Sequence, residues 1–229
     1  MSSADKARRW RQILTDLRPD LRGEWTLRGA GLDTVLAREP LGWALAWIGW
    51  SGSPTRPVGW VAAGVQPLVA PFTGWVMTYG LRMDEVRSGP PTVDLSAGDA
   101  LDQARRFVLD AGLEKIDSWP AERLADVAER DYAQDPRRRR THWHQLPGWR
   151  VVNGTASPVE PATALAELSR DRAAEASGTG ARQLGEQAAF YEGLVRAWHD
   201  GERDTALRFL TEQRDRALAA RKLDRTVTP

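Results

Sequence analysis

Two histidines one residue apart, His142 and His144 in the stretch THWHQ, are the side chains best suited to hold a metal ion. On a strand a spacing of two puts both imidazoles on one side, and His199 is the only other histidine available as a third nitrogen ligand. No carboxylate stands at a fixed spacing from the pair, and the arginines just upstream would repel a cation, so no metal site is assigned and exposed edge-strand histidines are the plainer account. Those arginines, Arg137, Arg138, Arg139 and Arg140, with Arg130 and Arg150 nearby, form a second constellation. Four guanidinium groups followed by Trp143 could grip phosphates and stack a base, or pair with an acidic protein surface. Asp131 and Asp135 lie beside them, which favours an acidic protein over nucleic acid.

Glu24, Asp33 and Glu39 could act as acid or base in a cleft, but nothing in their spacing singles them out. The chain lacks a Walker loop and the G-x-G-x-x-G, G-x-S-x-G and H-E-x-x-H patterns. It also contains no cysteine, which removes thiolate nucleophiles, disulfides and cysteine-ligated metals. No catalytic residue and no cofactor is indicated. A net charge of +1 from 32 basic and 31 acidic residues supplies no global field, so electrostatic recognition must be local.

The strongest compositional signal is the segment from Leu41 to Leu81, which holds five tryptophans and one charged residue, Arg56. Indole rings combine large apolar area with one N–H and serve both cores and interaction hot spots. Trp47, Trp50, Trp60 and Trp75 are the candidate partner-binding residues, at least one of them expected beside a cleft or interface. Prolines and glycines interrupt the segment too often for a membrane span, and the charged N-terminus has no signal-peptide core, so a cytoplasmic protein is expected.

These residues need elements to hold them. Trp10, Ile13, Leu14 and Leu17 mark a first helix ending before Pro19. Alternation predicts strands at EWTLR and DTVLARE, joined by a glycine turn, then three more at about 42–50, 57–65 and 72–83, which together make an antiparallel meander. Neither face of the 42–50 strand is polar, so each must be covered or used. A helix follows with Ser96 and Asp99 as its capping box and Gly112 as its stop, and another opens at Pro120. Trp143, Trp149, Val151 and Val152 read as one or two late strands turning at Pro147-Gly148. Ser157, Pro158 and Glu160 then begin a helix, and two last helices at about 182–200 and 203–220 meet at Asp200-Gly201. The stretch FYEGLVRAWHDGERDTALRFL resembles one tetratricopeptide unit, but no second copy follows at a fixed period, so it reads as a two-helix pack. The expected fold is α+β, a meander sheet flanked by helices over residues 1–176, with a helical hairpin over residues 182–224.

The order of elements, with LRGEWTLRG, WIGWSGS and FTGWVMTYGL at its front, resembles a group of uncharacterised α+β domains found near bacterial toxin systems and thought to act as immunity proteins. The similarity spans roughly residues 5–170. It implies a non-enzymatic protein-binding module whose partner is another protein, a toxin or an acidic surface. A tryptophan-lined small-molecule enzyme and a nucleic-acid accessory protein are the other two readings that the residues allow.

Overall fold

A computed structural model of the chain describes residues 1–53, 55–71, 74–86, 90–134 and 142–227. Two compact units divide it: residues 1–66, 75–120 and 218–229 form the first, and residues 67–74 and 121–217 the second. The boundary at 176 drawn from the sequence falls inside the second unit.

The first unit is built on an antiparallel sheet. Strands β1 (Trp25–Arg28), β2 (Val35–Arg38), β3 (Ala44–Gly52), β4 (Val58–Pro67) and β5 (Gly80–Arg82) follow one another as a meander, and a short β6 (Val93–Asp94) also pairs with β4. Alternating apolar residues drive this, since a strand half covered must send successive side chains to opposite sides. Helix α1 (Ser3–Leu17) opens with a capping box between Ser2 and Asp5 and buries Trp10, Ile13, Leu14 and Leu17. The Trp10 indole N–H donates to the Thr34 carbonyl at 2.8 Å, which fixes the helix to the start of β2.

The expected capping box of Ser96 and Asp99 does not form. Ser96 instead donates its N–H and hydroxyl to Asp94, a local turn that competes with capping, and α2 (Ala100–Phe107) starts later. Gly112 does not stop the helix either. A π-helical turn over Val108–Gly112 carries it into α3 (Leu113–Asp117), and an added Cβ at Gly112 would stand 3.0 Å from the Ala63 side chain. That glycine lets helix and sheet approach. The expected strand at 72–83 is reduced to β5, because a 3₁₀ turn at Met77–Tyr79 breaks the alternation and sends Tyr79 into the core.

The C-terminal segment returns to the open edge of β1. Gly29 N–H donates to the Lys222 carbonyl at 3.1 Å, Val227 N–H to Leu27 at 2.7 Å, and Leu223 is buried. Arg28 holds the segment through the Leu223 carbonyl at 2.8 Å while pairing with Glu39 at 2.7 Å. Burial pushes the Glu39 carboxyl up, but hydrogen bonds from Thr26 and Arg28 and the Arg28 charge outweigh it, so its pKa lies below the ordinary 4.5. A depressed carboxylate stabilises fully above its unfolded pKa and loses that contribution as pH falls through the folded one. Urea melts from pH 7 to 3 should therefore show a loss below about pH 4.5 that is smaller in Glu39→Gln, whose baseline stability is lower.

The second unit is helical. It comprises α4 (Ala121–Gln134), α5 (Leu146–Asn153), α6 (Val159–Glu175) and α7 (Gly178–Ala220). Helix α7 breaks at Gly201 and Glu202 into arms 178–200 and 203–220, the hairpin expected from Asp200-Gly201; Glu202 takes a left-handed φ of 50°. The arms sit close because Gly193 lacks a side chain, so that an added Cβ would stand 2.8 Å from the Phe209 ring. The long C-terminal helices α6 and α7 also touch and form a hairpin, whose core includes Trp143, Leu165, Ala166 and Tyr191.

The late strands expected at 142–152 are helix. A 3₁₀ turn at Trp143–Gln145 leads into α5, with Pro147 in its first turn and Gly154 closing it at a left-handed φ of 64°. Trp143 and Trp149 are both buried. Arg203 caps the end of α5, donating to the carbonyls of Val151 at 2.9 Å and Val152 at 2.7 Å. Arg203→Ala should cost about 1 kcal/mol in thermal unfolding, as for a partly exposed charge-assisted bond, with Arg203→Lys restoring only part because an ammonium cannot fork. Among the described residues no helix is long and apolar enough to cross a membrane.

Candidate functional site: a tryptophan-lined cavity

Register decides which tryptophans share a face. Ala37 pairs with Trp47 and Ala62 with Arg82, while Ser53 N–H bonds to Val58 and places Gly52 opposite Gly59. It follows that Val35, Trp47, Gly49, Ser51, Trp60, Ala62 and Arg82 belong to one face. The other carries Leu36, Ile48, Val61 and Ala63, all fully buried, and takes the helical segment through Gly112.

The first face holds a cavity of about 260 Å³. Trp47, Trp50, Trp60 and Trp75 all line it, together with Leu32, Asp33, Met77 and Arg82. The smallest residues of the central strands, Gly49 and Ala62, are in its lining, and a Cβ added at Gly49 would already stand 3.1 Å from Val35 and 3.2 Å from the Trp47 ring. Trp47 and Trp75 stand as a tilted pair, ring centres 4.4 Å apart at 37°. Trp60 lies under the Arg82 guanidinium, 4.9 Å from ring centre to carbon. Arg82 is in turn held by Asp84 through two bonds of 2.9 and 2.7 Å, with Glu85 at 3.9 Å.

The four tryptophans do not play one part. Trp60 and Trp75 are half-buried, whereas Trp47 is 3% and Trp50 9% exposed. Trp50 alternates onto the opposite face, and its ring lies over Gly52 and Gly59, where an added Cβ would meet it at 2.3 and 2.5 Å. It borders the cavity but belongs to the core. The indole N–H groups of Trp47 and Trp50 are buried and have no acceptor among the described residues.

Of the carboxylates Glu24, Asp33 and Glu39, Asp33 lies at this cavity, exposed, and its carboxylate makes no hydrogen bond or ion pair among the described residues. Glu39 is committed to Arg28 and Thr26. Sequence reasoning did not select Arg82 or Met77; Arg82 could have been noticed as the lone charge on the non-apolar side of the 75–83 alternation.

The other constellations lie elsewhere. Arg137 to Arg140 fall outside the described residues. His142 and His144 are not on a strand: the 3₁₀ turn that begins at Trp143 removes the same-side geometry. Burial, with a smaller push from the Arg172 charge, drives the His144 pKa down to about 4, so its imidazole is neutral near pH 7. Among the described residues no three histidine or carboxylate side chains are grouped to hold a metal ion. Arg150 is bound by Glu129 at 2.8 and 2.9 Å and stands over the Tyr132 ring, a structural use of that arginine. Comparison with models of protein families, with curated proteins and with solved structures gives no match.

Proposed function

We propose that the protein is a non-enzymatic protein-binding module that seats one anchoring side chain of its partner in the tryptophan cavity. The observation that carries this is the convergence of Trp47, Trp60 and Trp75 on one concavity, with Gly49 and Ala62 in its lining. Interfaces draw most of their affinity from a few aromatic-lined, desolvated pockets. Size supports a side chain over a free ligand, because about 260 Å³ is below the roughly 300–1,000 Å³ typical of small-molecule sites. Among the described residues the large hydrophobics that stand exposed are Met1 and Leu109, so a pocket suits this surface better than a broad apolar patch. The resemblance to immunity-type domains supports a toxin as the partner, and the run Arg137 to Arg140 supports acidic patches on it.

The test is Trp60→Glu in the full chain. Trp60 is half-buried, so the melting temperature should move by only a few degrees. Affinity capture with the unaltered chain should recover one stoichiometric protein that Trp60→Glu no longer retains. Equal recovery by both chains would remove the cavity from the binding surface.

A further inference from the structure

We infer that the anchor received by the cavity is cationic: an arginine or lysine side chain of the partner protein. This rests on the protein-binding reading and names the chemistry of its central contact. Indole rings dominate the lining, and a ring quadrupole attracts a cation, tryptophan most strongly; Trp47 and Trp75 face each other and Arg82 covers one face of Trp60. The molecule itself provides an example, since the Arg82 guanidinium already stacks on the outer wall at Trp60, 4.9 Å from the ring centre.

Charge around the cavity points the same way. Its charged lining residues are Asp33 and Arg82. Arg82 is neutralised by the two-bond clasp of Asp84 and by Glu85 at 3.9 Å, and is not free to draw in an anion. Among the described residues Asp33 has no such partner, and it is exposed, so there its carboxylate is the uncompensated charge at the cavity. Met77 and Leu32 in the lining suit an apolar stem, and the indole rings and the Asp33 carboxylate suit a charged head. Long basic side chains combine those two parts. A neutral aliphatic anchor would fill the space and leave Asp33 unpaired.

The experiment compares pairs of probes close in shape and different in charge, bound to the full chain at fixed ionic strength and followed through the indole N–H resonances. Nα-acetyl-arginine amide is set against Nα-acetyl-citrulline amide, and Nα-acetyl-lysine amide against Nα-acetyl-norleucine amide; choline is a fifth probe. The charged member of each pair should bind about tenfold more tightly and perturb Trp47, Trp60 or Trp75. Asp33→Asn should weaken it severalfold without moving the melting temperature. If citrulline or norleucine binds as well as its charged counterpart, the cationic anchor is overturned while the protein-binding reading stands on the Trp60→Glu result. If choline binds and both amino-acid cations do not, the site belongs to a free quaternary ammonium ligand and the inference falls. Silence from every probe up to about 50 mM also overturns it, because aromatic-cage contacts are strong enough to register at that concentration.

Discussion

Gly148→Ala is expected to unfold the second unit or to lower its stability by about 3 kcal/mol or more. Gly148 sits in the first turn of α5, where the helix runs against Val69 of the same unit. A methyl group there would lie 2.0 Å from the Val69 carbonyl oxygen, 2.7 Å from its Cβ and 2.9 Å from its carbonyl carbon. Two of those atoms are backbone and cannot swing aside as a side chain would. Helix propensity favours alanine over glycine by about 1 kcal/mol, so propensity alone predicts a gain. Steric collision must win, since relieving it means shifting the whole of α5 and with it Trp149. A denaturant titration read by near-UV dichroism checks the sign, and a stabilised Gly148→Ala would show that the approach of α5 to Val69 is not as close as described.

Trp50→Ala carries the second largest expected effect, about 3–5 kcal/mol. The ring is 9% exposed and lies across Gly52 and Gly59, two residues that offer no side chain to close the gap once it is gone. The cavity left behind cannot collapse, because the strands are fixed by their own hydrogen bonds. Trp60→Ala, one register step away on the opposite face, should cost well under half as much, since that ring is half-buried and leaves its area to solvent. Thermal melts of both variants side by side separate core from surface tryptophan. A similar loss for the two would contradict the assignment of faces from register.

That contrast marks where the sequence was legible and where it stopped. Alternation located β1 to β4 and the Asp200-Gly201 break correctly because those signals are local: period two, a glycine turn, an uninterrupted helical stripe. The same rules took 142–152 for strand, since Trp143, Val151 and Val152 favour strands, and a single Pro147 reads equally as a turn or as a first helical turn. Gly154 was the clue that settled the matter, as a helix stop, but its meaning depends on knowing a helix precedes it. Alternation over the expected strand at 72–83 would put Trp75 and Tyr79 on one face, and a 3₁₀ turn at Met77–Tyr79 breaks that pattern. At the candidate site, residue type alone picked out Trp47, Trp50, Trp60 and Trp75, and gave no reason to choose Asp33 over Glu24 or Glu39. Their convergence depends on Gly52 lying opposite Gly59, a pairing that a one-residue slip would reverse for every side chain of β3 and β4.

The return of the C-terminal segment to β1 has a consequence for the order in which the protein can be finished. Arg28 and the Leu223 carbonyl it holds are separated by 195 residues, so the edge of the first strand is synthesised long before the segment that closes it. At roughly 5–20 residues per second that interval is about 10–40 s. Throughout it the Leu27 carbonyl and the Gly29 N–H lack their final partners. An unclosed strand edge is where two nascent chains can pair with each other, and here the arrival of Lys222 and Val227 ends that exposure.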